Sequence, residues 1–304
     1  MIDRYRNQVR LLLKVLPIVA EVEEFALKGG TAINFFWRDF PRLSVDIDLA
    51  YIPIKNREES LSEIRKGVQD IAEAVSLRIP GSGVTTQKSG GTLSKLLIRS
   101  DASQVKLEVN TVLRGRLFES VEKELAATVQ NEFEMYAAIP TLSMADLYGG
   151  KICAALDRQH PRDLFDVKLL LENEGLTGKI VTAFLGYLVG HSRPLNELLN
   201  PNLVDIEDIY KTEFEGMTND PVPLNDLVEV QEELSELLLD RLNDKQKEFL
   251  LSFQQAEPKW ELFSIGHLRD LPGVQWKLIN LKKMDKQKHQ EMGKKLEKVL
   301  WDNQ

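Results

Sequence analysis

Strand-like periodicity is confined to the first part of the chain, and that limits what the chain can fold into. In the first half, apolar and polar residues alternate in short runs. The run "LSVDIDLAYIP", 43–53, puts Val45, Ile47 and Leu49 on one side and Ser44, Asp46 and Asp48 on the other. A period of two marks a strand with one buried face. "TTQKSGGTLSKLLIRSD" and "SQVKLEVNTVL" read as two more strands. The second places Val105, Leu107 and Val109 opposite Lys106, Glu108 and Asn110. From about residue 175 the apolar residues recur at helical spacing instead, most clearly in "NDLVEVQEELSELLLDRLNDKQKEFLLSFQQ". The expectation is an α/β (α+β) domain over 1–175, with a small mixed sheet and flanking helices, followed by an all-α domain over 176–304.

Helices in the first part follow from local signals. Val9, Leu12, Leu13, Leu16 and Val19 predict an amphipathic helix over 4–25. "REESLSEIRKGVQDIAEAV" reads as a surface helix. Ser143 and Asp146 form a capping arrangement for a helix running to about Leu156, and Pro161 suits the first turn of the next.

Composition excludes several classes. The 304 residues are 43% apolar, enough for ordinary cores. No apolar run approaches the ~18–20 residues of a membrane span. The N-terminal stretch lacks the apolar core and cleavage site of a signal peptide. Cys153 is the single cysteine, so neither an intrachain disulfide nor a cysteine-based zinc site is available. A soluble cytoplasmic protein is expected. The net charge of −8 argues against non-specific coating of nucleic acid. Local basic stretches remain at both ends: Arg4, Arg6 and Arg10, then Lys282, Lys283, Lys286, Lys288, Lys294, Lys295 and Lys298. These read equally as a solvated face or as a phosphate-contacting strip.

The chemistry concentrates in "LKGGTAINFFWRDFPRLSVDIDLAYIP", 27–53. Asp46 and Asp48 point to the same side of a strand, where two ionised carboxylates repel unless a cation lies between them. Hard divalent cations take oxygen ligands, commonly carboxylates together with phosphate oxygens. Gly29 and Gly30 allow close backbone approach with exposed N–H donors, and Thr31 adds a hydroxyl. Together these residue types suit a metal–triphosphate site for in-line phosphoryl displacement.

"GGTAINFF…PRLSVDIDL" followed by "ADLYGGKICAALDRQHPRDLFDVKLL" resembles the AbiEii/AbiGii toxin family: nucleotidyltransferase toxins of type IV toxin–antitoxin systems, within the DNA polymerase β-like superfamily. The likeness spans roughly 25–170, with the gap between Gly30 and Asp46 slightly long and "WRDF" carrying the extra residues. It implies a polymerase β-like fold and position-by-position roles. Gly29, Gly30 and Thr31 match the nucleotide-phosphate turn, with Ser44 a hydroxyl beside the triphosphate. Arg42, in the loop before it, reads by its own charge either as a phosphate contact or as a solvated arginine. Asp46 and Asp48 match the metal pair for Mg2+, with Mn2+ as the alternative, and Glu108 or Asp166 completes the set. Lys151 matches a lysine that meets phosphate charge, and Asp166 an acid of the later block. A plain helix-pinning role, with Arg162, Arg158 and Asp163 as charge partners, is the competing reading for Asp166. The implied reaction moves NMP from an NTP to the 3′ acceptor end of tRNA. The implied partner is an antitoxin, often with a winged-helix DNA-binding domain. A protein or small-molecule acceptor, or a non-catalytic binding module, is the alternative.

Overall fold

The computed structural model describes residues 3–101 and 103–301; the side chain of Arg4 lies outside the described part. The chain forms two compact units: Met1–Leu147 with Gly216–Pro221, and Tyr148–Glu215 with Val222–Gln304. The division after Leu147 lies inside a helix and well before residue 175, where the sequence reading places its domain boundary.

The first unit holds α1 (Asp3–Val19), β1 (Phe25–Lys28), α2 (Gly29–Ala32), β2 (Asp46–Tyr51), α3 (Arg57–Arg78), β3 (Gly83–Ser89), β4 (Thr92–Ser100), β5 (Ser103–Asn110), β6 (Val121–Glu124), α4 (Ala127–Phe133) and β7 (Ala138–Thr141). The strands make one sheet in the order β3-β4-β5-β2-β1-β7-β6. It is mixed, as expected: β2 runs parallel to β5 and antiparallel to β1, and β1 runs parallel to β7.

The alternation in β2 decides which face is buried. Phe25 pairs with Tyr51, so both share the Ile47–Leu49 side of the sheet. That side meets α3: a Cβ on Gly67 would lie 2.9 Å from the Phe25 ring, and the Tyr51 hydroxyl donates to Glu63 at 2.6 Å. Ile47, Leu49, Tyr51, Leu107 and Phe25 are buried there, each aliphatic side chain contributing about 1.5–3 kcal/mol. The same alternation leaves Asp46 and Asp48 on the opposite, partly open face.

Three local expectations are corrected. The first helix ends at Val19, not at 25, because β1 begins at Phe25. Phe25, Ala26 and Leu27 are all buried, so β1 shows no alternation to set it apart from the helix before it. "TTQKSGGTLSKLLIRSD" is a hairpin of two strands, β3 and β4. Gly90 and Gly91 adopt φ of +57° and +84°, the paired left-handed geometry of a tight hairpin turn. The strands β6 and β7 escape a sequence reading because each has four residues and β7 contains Pro140.

Among the described residues the second unit is helical throughout. α5 (Met144–Arg158) crosses the division after Leu147. It is followed by α6 (Pro161–Asn173), α7 (Gly178–Gly190), α8 (Leu195–Leu199), α9 (Glu207–Glu213), α10 (Leu224–Asp240), α11 (Asp244–Gln254), α12 (Pro272–Lys282) and α13 (Lys286–Trp301). The Ser143 hydroxyl accepts from Asp146 N–H at 3.1 Å, which is the expected start of α5. Gly149 explains why the rest of α5 belongs with the second unit. A Cβ there would stand 2.7 Å from the Ala183 backbone, so only glycine lets α5 and α7 approach this closely. No helix among the described residues is long and apolar enough to cross a membrane.

Candidate active site

The first constellation grows from the end of β1. Lys28 closes the strand and the backbone turns at Gly29, whose φ of +73° favours glycine. A side chain at Gly29 is excluded a second time, since its Cβ would lie 2.6 Å from Asp48 Oδ2. A Cβ on Gly30 would lie 2.7 Å from Arg42 Nη2 and 3.0 Å from Ser44 Oγ. The two glycines are therefore the floor of a cradle walled by Asp48, Arg42 and Ser44. The chain continues as a π-helical turn, Ile33–Trp37, closed by the Arg38 N–H donating to Ile33 O at 2.7 Å. A π turn holds one more residue than an α turn, and it precedes the "WRDF" bend that carries the extra length.

Hydroxyls tie the turn to β2. Thr31, 1% exposed, donates to the Asp46 carbonyl at 2.5 Å and lies 2.9 Å from the Ser44 hydroxyl. Asn34 fixes the turn from behind, donating to Gly30 O at 2.9 Å. Arg42, 3% exposed, donates to Leu43 O at 2.8 Å while its other nitrogen lies over Gly30. Gly29, Gly30, Thr31, Arg42, Ser44, Asp46 and Asp48 thus lie at one place in the structure.

Glu108 reaches the same neighbourhood but is otherwise engaged. It is the register partner of Asp48 across β2 and β5. Its carboxylate meets Lys95 at 2.9 Å and Lys106 at 3.7 Å. Lys28 is the register partner of Asp48 on the other side. One row across the sheet therefore reads Lys95, Glu108, Asp48, Lys28, with the acids inside and the cations outside. Lys28 and Lys95 carry no motif signal; the register alone finds them. Among the described residues no group of three or more His, Cys, Asp or Glu side chains gathers as a metal cage. Asp46 and Asp48 share the partly open face of β2, and carboxylate oxygens are the donor type that a hard divalent cation takes.

The second constellation lies in the second unit. Lys151 on α5 is buried against Asp163 at 2.7 Å and Asp166 at 2.9 Å, both on α6. Arg158 adds a bond to Asp163 at 2.6 Å. Burial pushes the Asp163 carboxyl up, but the Lys151 ammonium and the Arg158 guanidinium more than offset this and hold it below the usual carboxylate range. Two cations and two anions balance here. Arg162, the expected partner of Asp166, pairs instead with Glu213 at 3.2 Å. His160 caps α6, accepting from Arg162 N–H at 3.1 Å. Burial lowers its pKa, and the neutral ring can then donate its other N–H to Glu213, 3.1 Å away. Gly150 has open space where its Cβ would be.

The terminal basic residues divide. Arg6 and Arg10 stack over the Phe133 ring at 5.8 and 5.7 Å, and Arg6 pairs with Glu132, so both help to hold α1. Lys282, Lys283, Lys286, Lys288, Lys294, Lys295 and Lys298 are exposed.

Comparison with known proteins bears on the whole chain. No curated protein sequence matches it. A solved structure of MenT4, a nucleotidyltransferase toxin from Mycobacterium tuberculosis H37Rv, superposes with a TM-score of 0.62 at 15% identity, covering 91% of this chain and 93% of that one. At that identity the likeness speaks for the fold. The sequence profile described as "Nucleotidyl transferase AbiEii toxin, Type IV TA system" matches residues 10–279. The matched stretch contains both the Gly-Gly turn and the Asp-x-Asp strand, and the chain belongs to the AbiEii nucleotidyltransferase toxin family of type IV toxin–antitoxin systems.

Proposed function

We propose that this toxin transfers a nucleoside monophosphate from an NTP to the 3′ end of tRNA, in a Mg2+-dependent reaction that blocks translation and growth. The observation that carries the nucleotide half is the contact between Gly29 and Asp48. The turn that suits a phosphate chain and the acid that suits a cation are built against each other. The tRNA half rests on the family resemblance of the two motif blocks.

In this reading the backbone N–H groups of the Gly29–Gly30 turn and the Arg42 guanidinium bind the triphosphate. Thr31 and Ser44 orient it through their hydroxyls. Asp46 and Asp48 hold Mg2+, or Mn2+ in its place, which when bound neutralises phosphate charge and activates the α-phosphorus. The acceptor hydroxyl attacks that phosphorus, one P–O bond forms, the α–β bond breaks, and pyrophosphate leaves while the hydroxyl proton passes to water. The residues act by positioning and by charge, without a covalent enzyme intermediate.

For Lys151 and Asp166 we propose a supporting role. Lys151 already meets two carboxylates, so a phosphate there would compete with anions held at 2.7 and 2.9 Å. Glu108, held by Lys95, is assigned as a neighbour of the metal pair. We assign nucleotidyl transfer to residues 1–175 together with 216–221, and acceptor holding to the rest of 176–304. A cognate antitoxin, in this reading a winged-helix DNA-binding protein, neutralises the toxin in the cytoplasm, where it acts in phage defence by abortive infection.

The test is a transfer assay with total tRNA and each α-labelled NTP, with and without Mg2+, alongside Asp48→Ala. Label on tRNA from one NTP, absent in the variant and without Mg2+, is expected. Label on a co-purifying protein instead would replace the acceptor. Equal labelling by Asp48→Ala would remove the assigned site.

A further inference from the structure

Arg42 and Ser44 stand over the glycine turn because the loop carrying them is fixed, and what fixes it comes from far along the chain. Residues 216–221 lie between α9 and α10 of the second unit, yet they belong to the first unit. They meet residues 40–43 through three hydrogen bonds, two of which make a bridge. Leu43 N–H donates to Met217 O at 2.8 Å, and Asn219 N–H to Pro41 O at 3.3 Å. Arg42 and Thr218 form an isolated antiparallel bridge. The Asn219 side-chain amide donates to Phe40 O at 2.7 Å.

Phe40 is the strained member of the loop. Its φ is +62°, unusual for a bulky side chain. Its ring is fully buried, edge-on to Phe35 at 5.2 Å and to Phe133 at 5.9 Å, so it cannot relax by swinging out. Its N–H donates to Asn34 O at 3.0 Å, and Asn34 in turn holds Gly30 O. Packing and bonding at Phe40 thus set where the chain points two residues later, at Arg42. Asn219 supplies the bond to the Phe40 carbonyl, and Asn219 is itself exposed, so replacing it removes no core packing.

We infer that Asn219 is a positioning residue for nucleotide binding. It acts through Phe40 to hold Arg42 and Ser44 over the Gly29–Gly30 turn. This deepens the triphosphate reading above and rests on it. A lost side-chain donor leaves the Phe40 carbonyl unpaired and lets the left-handed bend relax, so the guanidinium no longer stands at the cradle wall.

The experiment measures KM and kcat for the active NTP, with Mg2+, in the wild type, Asn219→Ala, Asn219→Gln and Asp48→Ala, together with Tm for each. Asn219→Ala is expected to raise KM about tenfold with a smaller change in kcat and little change in Tm. Asn219→Gln keeps an amide donor and should recover part of the loss. A wild-type KM in Asn219→Ala overturns the inference, as does a KM rise that follows a fall in Tm equally in both Asn219 variants. A wild type that uses no NTP, or an Asp48→Ala protein that matches it, overturns the nucleotide reading and this inference together.

Discussion

Gly29 and Asp48 share a boundary that leaves no room for a methyl group: the missing Cβ would lie 2.6 Å from the Asp48 carboxylate oxygen. Gly29→Ala therefore meets two obstacles, the clash and a φ of +73° that costs an L-residue about 1–2 kcal/mol. Expected is a stability loss of that size together with a fall in kcat/KM of about 100-fold, as Asp48 is pushed aside. Urea unfolding and steady-state kinetics on the same sample separate the two effects. A variant with full activity would show that the close approach has no bearing on the reaction.

Asp48 and Glu108 face each other across β2 and β5 but differ in their company. Asp48→Asn should lose about 10²–10³ in kcat, the range for removing a charge that the transition state needs. Glu108→Gln should lose less than about tenfold, because its carboxylate is bonded to Lys95. Mn2+ binding followed by electron paramagnetic resonance gives a second readout: weakened in Asp48→Asn, little changed in Glu108→Gln. Equal losses in both would return Glu108 to the metal site.

Lys151 is paired with two buried carboxylates at once, Asp163 and Asp166. Lys151→Met leaves Asp163 and Asp166 buried with too little positive charge, and a cost of about 3–5 kcal/mol is expected. The pH dependence has a definite sign. Asp163 has a folded pKa below its unfolded value, so its contribution is complete above the ordinary carboxylate pKa. It is lost as pH falls from about 4 toward the lower folded value. Unfolding midpoints of the wild type should fall over that window more steeply than those of Asp163→Asn. Parallel profiles would contradict the assignment.

Gly149 and Gly150 are adjacent yet opposite in consequence. Gly149→Ala places a Cβ 2.7 Å from the Ala183 backbone and should destabilise by about 1–3 kcal/mol. Gly150→Ala enters open space within a helix and should stabilise by about 0.5–1 kcal/mol. Thermal melts decide both. Should Gly150→Ala instead lose activity at undiminished stability, the space beside it serves a ligand.

The parts of the site that the sequence makes legible are local. Two acids at a spacing of two must share a strand face, and a Gly-Gly pair upstream must turn, so Asp46, Asp48 and the cradle floor are visible in one stretch. What stays hidden depends on pairing. The face that Glu108 shares with Lys106 and Asn110 is legible, but only register sets it opposite Asp48 and brings Lys95, on the next strand, to it. Lys151 reads as a phosphate-facing lysine because its partners Asp163 and Asp166 lie on another helix. β1 is hidden because four residues with three buried in succession have no period to read.

The excursion of residues 216–221 back to the first unit has a consequence for synthesis. Domains form as the chain emerges, at about 5–20 residues per second. The strands and the glycine turn are complete once Leu147 is made, but the segment that braces the Arg42 loop arrives only seconds later. A ribosome-bound fragment ending anywhere between Leu147 and Met217 would carry every assigned residue of the glycine-turn site and still lack the brace. The nascent chain would thus lack the brace of its nucleotide cradle until most of it had been translated, and a piece cut off at Leu147 would leave that brace behind.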